Sequence, residues 1–133
     1  MRTVLLIIFT IFMNITTSAQ ATGDLMRGEQ LYSARCGACH AIDDNGAGPR
    51  HRNVVGRIAA TQAGYEYSSA LKKSGLRWTL HNLDRWLANP NQLVPGNKMV
   101  VQLANDAKDR QDIIAYLEAQ SAATRPGTVN RRK

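Results

Sequence analysis

The spacing of the two cysteines is the feature of this sequence that most limits what the chain can be. The 133 residues contain only Cys36 and Cys39, and His40 follows directly, so the local pattern is C-x-x-C-H. A disulfide between cysteines so close in sequence closes a loop too small to stabilise a fold. A redox-active C-x-x-C pair is typical of a strand entering a helix in an α/β pattern, and no such pattern is visible here.

Two other interpretations of the motif are zinc binding and covalent haem attachment. Zinc needs four ligands, and Cys36, Cys39, His40 and either His51 or His81 would supply them only if adjacent residues bound the same ion. In haem attachment, the two thiols add to the vinyl groups of the porphyrin, and the following histidine reaches the iron. That interpretation requires a sixth iron ligand elsewhere in the chain.

Met99 is the candidate for that sixth ligand. It follows the Pro95-Gly96 turn in a polar loop and precedes a short apolar stretch. A single methionine is more often a core residue than a ligand. A thioether sulfur, however, is a soft ligand that favours ferrous iron, and His/Met ligation raises the reduction potential relative to harder donors.

The rest of the chain is predicted to be all-α, with short helices joined by loops. No alternating apolar and polar pattern is long enough to predict a strand. Apolar spacing and capping residues predict four helices. These are expected at 24–39, at 68–74 before Gly75, from Thr79 to the residue before Pro90, and from Asn105 or Asp106 onwards.

The first and last of these helices are predicted to cross closely. Gly28 lies on the face of the first helix that also carries Tyr32, and it has no side chain to separate the two helices. The last helix has an inner face made of Ile113, Tyr116 and Leu117. We expect this face to pack against the first helix at Gly28.

Both ends of the chain are predicted to lie outside the folded domain. Residues 1–19 combine a positive start at Arg2, an apolar run and the small residues Thr17-Ser18-Ala19, a pattern typical of a cleaved secretory signal. Their apolar part is shorter than the roughly 20 residues of a membrane span, although a retained anchor is the alternative. We expect a domain at 20–121 and a basic, disordered tail at 122–133.

The charge distribution argues against a nucleic-acid-binding protein. The whole chain has a net charge of +7, but residues 20–121 hold 12 basic and 10 acidic residues, a net charge of only +2. Much of the excess lies in the last residues, where Arg125, Arg131, Arg132 and Lys133 have no acidic neighbour. A predicted export signal also makes contact with nucleic acid implausible, so we expect no nucleic-acid partner.

The motifs between residues 28 and 120 resemble those of class I cytochromes c, especially bacterial relatives of mitochondrial cytochrome c. The matching segments are G-x-x-x-Y-x-x-x-C-x-x-C-H at 28–40, Gly48-Pro49, Val55-Gly56-Arg57, Gly64-Tyr65-Glu66-Tyr67-Ser68, Ser74-Gly75-Leu76-Arg77-Trp78, Val94-Pro95-Gly96-Asn97-Lys98-Met99 and Ile114-Ala115-Tyr116-Leu117. The resemblance implies the small class I cytochrome c fold, with short helices and loops wrapped around one covalently attached haem c.

The resemblance also implies the iron ligands and the attachment points. Cys36 and Cys39 would form thioethers with the haem, and His40 and Met99 would be the axial ligands. The carbonyl of Pro49 would accept the Nδ1 hydrogen of His40, which orients the ring and raises its basicity.

Three further residues match family positions around a buried haem propionate. These are Arg57, Tyr67 and Trp78, whose donors would offset the free energy lost on burying a carboxylate. Plain core packing is the alternative for each aromatic residue, and for Trp86 and Tyr116 it is the interpretation we favour.

By the same resemblance, the protein is expected to be a soluble periplasmic electron carrier rather than an enzyme, because a six-coordinate iron has no vacant position. It would act as a monomer between membrane or periplasmic redox complexes, without membrane insertion after signal cleavage. Arg35 and Lys98 match a ring of basic residues with which relatives dock their partners. The alternatives are a haem enzyme or gas-binding sensor with peroxidase-like activity and a labile sixth ligand, and an accessory subunit docked on one dehydrogenase or oxidase.

Three positions depart from the family pattern. His51 stands where relatives carry a leucine packed near the proximal side of the haem, so it needs a partner or the loop must be displaced. Leu71 replaces an asparagine that orders an internal water in mitochondrial relatives. Trp86 replaces a tyrosine whose hydroxyl touches the methionine sulfur.

Overall fold

The computed structural model describes residues 23–103 and 105–122, which form five helices joined by loops. The helices are α1 (Leu25–Arg35), α2 (Ser69–Lys73), α3 (Leu80–Ala88), α4 (Pro90–Leu93) and α5 (Ala107–Ala122). Within the described residues, the one β-type pairing is an isolated antiparallel bridge between Ile58 and Arg77. The predicted all-α fold is therefore confirmed.

The predicted terminal segments lie almost entirely outside the described residues. The signal at 1–19 is among them, and so is the predicted tail from residue 123 onwards. Ala122, which was assigned to the tail, is instead the last residue of α5. Among the helices that the structure describes, none is both long enough and apolar enough to cross a membrane.

Helix α1 ends at Arg35, four residues before the predicted end. The N–H groups of Cys36 and Gly37 both donate to the carbonyl oxygen of Tyr32, and those of Cys39 and His40 both donate to that of Cys36. Sharing each carbonyl interrupts the regular ladder of α-helical hydrogen bonds. The C-x-x-C-H motif therefore forms a turn after the helix, and the prediction of a helix through Cys39 was wrong.

The capping residues predicted α2 and α3 correctly, but α4 was missed. The side chain of Ser68 caps α2, and that of Thr79 caps α3. Pro90 ends α3 as predicted, but it is also the first residue of α4, whose N-cap Asn89 accepts a hydrogen bond from the N–H of Gln92 at 3.0 Å. Proline is favoured at that first position because it has no N–H to leave unsatisfied.

Helices α1 and α5 cross in close contact at Gly28, which confirms the predicted crossing. A Cβ atom at Gly28 would lie 2.0 Å from the carbonyl oxygen of Asp112 and 3.2 Å from Cβ of Tyr116. The backbone of α5 at Asp112 is thus the nearest neighbour, rather than the side chain of Tyr116. Any side chain at position 28 would push the two helices apart.

A buried carboxylate holds the same crossing together. The side chain of Asp112 is fully buried, where it bonds to Arg27 and Lys108 and accepts the N–H of Asp24 at 2.7 Å. Burial alone would raise the pKa of Asp112, but the bonds from Lys108, Asp24 and Arg27 outweigh it and lower that pKa to about 2. The charged form is therefore well stabilised, as a buried carboxylate requires.

Candidate functional site

A large, mainly apolar cavity lies between α1, α3, α5 and the loops. All eight residues predicted for the site line it. They are Cys36, Cys39, His40, Pro49, Arg57, Tyr67, Trp78 and Met99. The cavity reaches the surface near the cysteine pair, since Cys36 is buried and Cys39 is exposed.

The ring of His40 is oriented by the loop that faces the turn. Its Nδ1 donates a hydrogen bond to the carbonyl oxygen of Pro49 at 2.8 Å, which leaves Nε2 as the nitrogen able to bind a metal. A Cβ atom at Gly48 would lie only 2.2 Å from Cε1 of His40, so the loop backbone packs directly against the ring. Burial lowers the pKa of His40, although the bond to Pro49 opposes this. The ring is therefore neutral at neutral pH, as an iron ligand must be.

His51 finds partners, and its loop is held in place. Its ring stacks on that of His40, with 4.1 Å between ring centroids, and its Nδ1 lies 3.0 Å from the hydroxyl oxygen of Tyr32. Its backbone N–H donates to the carbonyl oxygen of Ala41 at 3.0 Å. Burial, with His40 and Arg57 nearby, lowers the pKa of His51 to about 3, so this ring is neutral as well.

Met99 lies in the loop after α4, where two hydrogen bonds fix it. The indole Nε1 of Trp86 donates to its sulfur at 3.0 Å, and the side chain of Asn97 accepts its backbone N–H at 2.7 Å. Trp86 packs in the core as predicted, and its indole has the further role of orienting the sulfur, which was not predicted. Asn97 was not predicted, although its place between Gly96 and Met99 marks it as a turn residue.

Arg57 brings a positive charge to the lining of the cavity. Its guanidinium donates to the carbonyl oxygens of Arg52 and Arg50, at 3.0 and 3.2 Å, and to Oε1 of Gln62 at 3.1 Å. Among the ion pairs of the described residues, none joins Arg57 to a carboxylate. Burial lowers its pKa. A half-buried cation of this kind favours an anionic group on the ligand.

Aromatic side chains also line the cavity. Tyr67 and Trp78 are buried, and burial raises the pKa of Tyr67 although Arg57 opposes it. Tyr65 also faces the cavity, and its hydroxyl donates to the carbonyl oxygen of Ala47 at 2.8 Å. Tyr65 was not predicted as a site residue, even though it belongs to the segment that carried Tyr67.

The chemistry of these side chains fits a covalently attached iron porphyrin. The cavity offers two thiols and an imidazole from one turn, a thioether from a distant loop and a cation for a carboxylate. Burial raises the pKa of the Cys36 thiol to about 11 even though Arg35 opposes it. Within the described residues, no three His, Cys, Asp or Glu side chains are grouped to hold a metal ion by themselves, so the zinc interpretation finds no support.

The two predicted docking residues have different surroundings. Arg35 lines the cavity, but its guanidinium is paired with Asp106 at 2.8 Å and Asp109 at 2.7 Å. The exposed Lys98 donates from Nζ to the carbonyl oxygen of Glu66 at 2.9 Å and forms no ion pair within the described residues. Lys98 thus presents more of its charge to a partner than Arg35 does.

Together, the fold and this set of side chains define a small all-α protein whose cavity fits a covalently attached haem. The sequence model of the cytochrome c family matches residues 25–121. The chain therefore belongs to the cytochrome c family. Members of this family bind haem c through a cysteine pair, and Cys36 and Cys39 are the only cysteines present.

Individual relatives and a solved structure agree with this assignment. The chain is 43% identical over 108 residues to cytochrome c2 of Rhodomicrobium vannielii, an alignment that covers 79% of this chain and 86% of the relative. It is 39% identical over 102 residues to cytochrome c 2.1 of Caenorhabditis elegans, covering 75% and 92%. Cytochrome cH from Methylobacterium extorquens superposes with a TM-score of 0.70 at 48% identity, covering 73% of this chain and 99% of that one. The predicted fold, the haem c cofactor and the class of electron carrier rather than enzyme are confirmed.

Proposed function

We propose that this protein is a soluble, exported carrier of single electrons in which His40 and Met99 are the axial ligands of a low-spin haem c iron. The observation that carries the proposal is the placement of both residues in the cavity that also contains the cysteine pair. Each is oriented by its own hydrogen bond, from His40 to Pro49 and from Trp86 to Met99.

The side chains around the cavity suit a carrier. A bound haem would supply one-electron chemistry, because its iron can be either ferric or ferrous. Nε2 of His40 and the sulfur of Met99 would fill both axial positions, which would leave no place on the iron for a substrate. With both ligands kept in place, the transfer of one electron would require little rearrangement of the site. Buried apolar side chains such as Leu71 and Leu83 exclude water, and Arg57 would offset the negative charge of a haem carboxylate.

Residues 1–19 support export to the periplasm, where the electron donors and acceptors would be membrane or periplasmic redox complexes. We expect a monomer that begins near Gln20 and is released from the membrane after cleavage. N-terminal sequencing of the protein from the periplasmic fraction tests this directly. A chain that still begins at Met1 and stays with the membrane fraction would instead be an anchored carrier.

A substitution at Met99 tests the ligation. Met99→Ala should keep the covalent haem but open the sixth position, so that the reduced variant binds carbon monoxide and its reduction potential falls. Met26→Ala, at an exposed methionine of α1, is the matched control and should behave as the wild type. If the reduced wild type binds carbon monoxide as readily as Met99→Ala does, Met99 is not the ligand, and a gas-binding or peroxidase-like protein becomes the better interpretation.

A further inference from the structure

Four aromatic rings form a continuous row from α5 to the turn that carries His40. Tyr116 and Tyr32 are in contact across the two helices, with 5.2 Å between ring centroids. Tyr32 meets His51 edge to face at 5.7 Å, and His51 stacks on His40 at 4.1 Å with only 20° between the ring planes. The ring of His40 is thus connected through side chains to the helix crossing.

The bond between Tyr32 and His51 fixes the orientation of the middle ring. The hydroxyl oxygen of Tyr32 lies 3.0 Å from Nδ1 of His51, and Tyr32 itself is buried within the core. Backbone hydrogen bonds hold the residue on both sides, because the N–H of His51 donates to Ala41 and its carbonyl oxygen accepts from Val54, each at 3.0 Å. His51 therefore presents one face to His40 in a fixed direction.

The stacked ring of His51 adds a restraint on His40 to those of the bond to Pro49 and the packed backbone of Gly48. A single hydrogen bond fixes the position of Nδ1, but it still allows the imidazole to rock about the line between Nδ1 and the carbonyl oxygen. A neighbouring ring packed flat on its face opposes that motion, since rocking would either open a gap or force an overlap.

We propose that His51 is a positioning residue that sets the ring plane of His40, with Tyr32 holding His51 in the required orientation. This inference rests on the proposed ligation by His40. Its consequence is that the plane of the axial imidazole depends on two residues that do not themselves bind the iron.

The test uses proton NMR of the oxidised holoprotein. The spread and order of the four haem methyl resonances depend on the plane of an axial imidazole. His51→Leu should change this pattern, and Tyr32→Phe should change it in the same direction but less, because it removes only the hydroxyl. His81→Leu, at an exposed histidine of α3, and Tyr116→Phe, which removes a hydroxyl not bonded to His51, should retain the wild-type pattern.

The outcomes separate positioning from packing. If His51→Leu lowers the melting temperature but keeps the wild-type methyl pattern, His51 only fills space and the inference is overturned. If His51→Leu does not mature, Tyr32→Phe decides: a changed pattern supports the inference, and an unchanged one overturns it. The absorption spectrum of the wild type is recorded before any variant is compared. If this spectrum shows no low-spin haem, the proposed function itself is overturned.

Discussion

The two sides of the cavity hold their candidate ligands by different means. His40 is packed against the backbone of Gly48, bonded to Pro49 and stacked on His51. Met99 lies in a loop beside Val100, which is 88% exposed, and a side-chain hydrogen bond from Trp86 orients its sulfur. Backbone packing thus fixes the histidine side, whereas a side-chain donor orients the methionine side. A substitution that adds atoms should therefore disturb the histidine side, and one that removes a hydrogen-bond donor should disturb the methionine side.

The largest effect is expected where a side chain is added beside His40. Gly48→Ala would place Cβ 2.2 Å from Cε1 of the ring, so the loop or the ring must move. We expect the free energy of unfolding of the holoprotein to fall by about 3 kcal/mol, the upper end for overpacking. Gly46→Ala, in the same loop, is the control, because its Cβ would lie 3.3 Å from the nearest atom, the carbonyl oxygen of Cys39. Equal denaturation midpoints for the two variants would show that the backbone does not pack tightly on His40.

A smaller loss of stability is expected from a substitution at the crossing of α1 and α5. Gly28→Val should force α1 and α5 apart and lower the free energy of unfolding by about 2 kcal/mol. Because neither Gly28 nor Asp112 lines the cavity that contains Met99, the sulfur-to-iron absorption of the folded holoprotein should remain. Ala34→Val, at an exposed position of α1, is the control, and since valine is a better helix former than glycine, helix propensity would not explain a loss of stability at position 28. A Gly28→Val variant as stable as Ala34→Val would mean that the helices do not cross at Gly28.

On the methionine side, removing one donor should weaken ligation more than it weakens the fold. Trp86→Phe deletes the N–H that bonds the sulfur. We expect the binding of Met99 to the iron to become weaker by about 1 kcal/mol. Cyanide should then displace Met99 from the oxidised iron roughly five- to tenfold more readily. Trp78→Phe removes the neighbouring indole, which packs edge to face on Trp86 at 5.1 Å, and serves as the comparison. Equal cyanide affinity in both variants and the wild type would contradict a role for Trp86 in holding the sulfur.

The smallest effect is expected from surface charge near the cavity. Lys98→Glu should slow reduction of a one-electron acceptor that carries a single negative charge by about fourfold at low salt, because the substitution changes two unit charges and each contributes roughly 0.4 kcal/mol at about 10 Å in water. Arg35→Gln should change the rate less, because Asp106 and Asp109 already offset its charge. Lys73→Glu is the control, because it makes the same change of charge at a residue that does not line the cavity. If it slows reduction of the acceptor as much as Lys98→Glu does, only the net charge of the protein matters. The differences should disappear at high ionic strength.

Local sequence patterns predicted the parts of the site that depend on neighbouring residues. The C-x-x-C-H motif and the Pro95-Gly96 turn identified both candidate ligands, and the capping residues Gly75 and Thr79 identified α2 and α3. Helix α4 was missed because its four residues are too few to show a helical period, although Asn89-Pro90 is a known start signal.

Contacts between distant side chains could not be predicted in the same way. The bond from Trp86 to Met99 spans 13 residues, and that between Tyr32 and His51 spans 19. Both depend on how loops fold back over the cavity, which periodicity and capping do not describe. The resemblance drew attention to positions 51 and 86, but only the structure shows which partner each side chain takes.

The most direct test of the central claim, an iron held by His40 and Met99, is the absorption spectrum of the oxidised wild-type holoprotein, followed by exposure of the reduced protein to carbon monoxide. We predict a sulfur-to-iron charge-transfer band in the red region and no binding of carbon monoxide. A spectrum without that band, together with carbon monoxide binding by the reduced protein, would show that Met99 does not occupy the sixth position and would contradict the account.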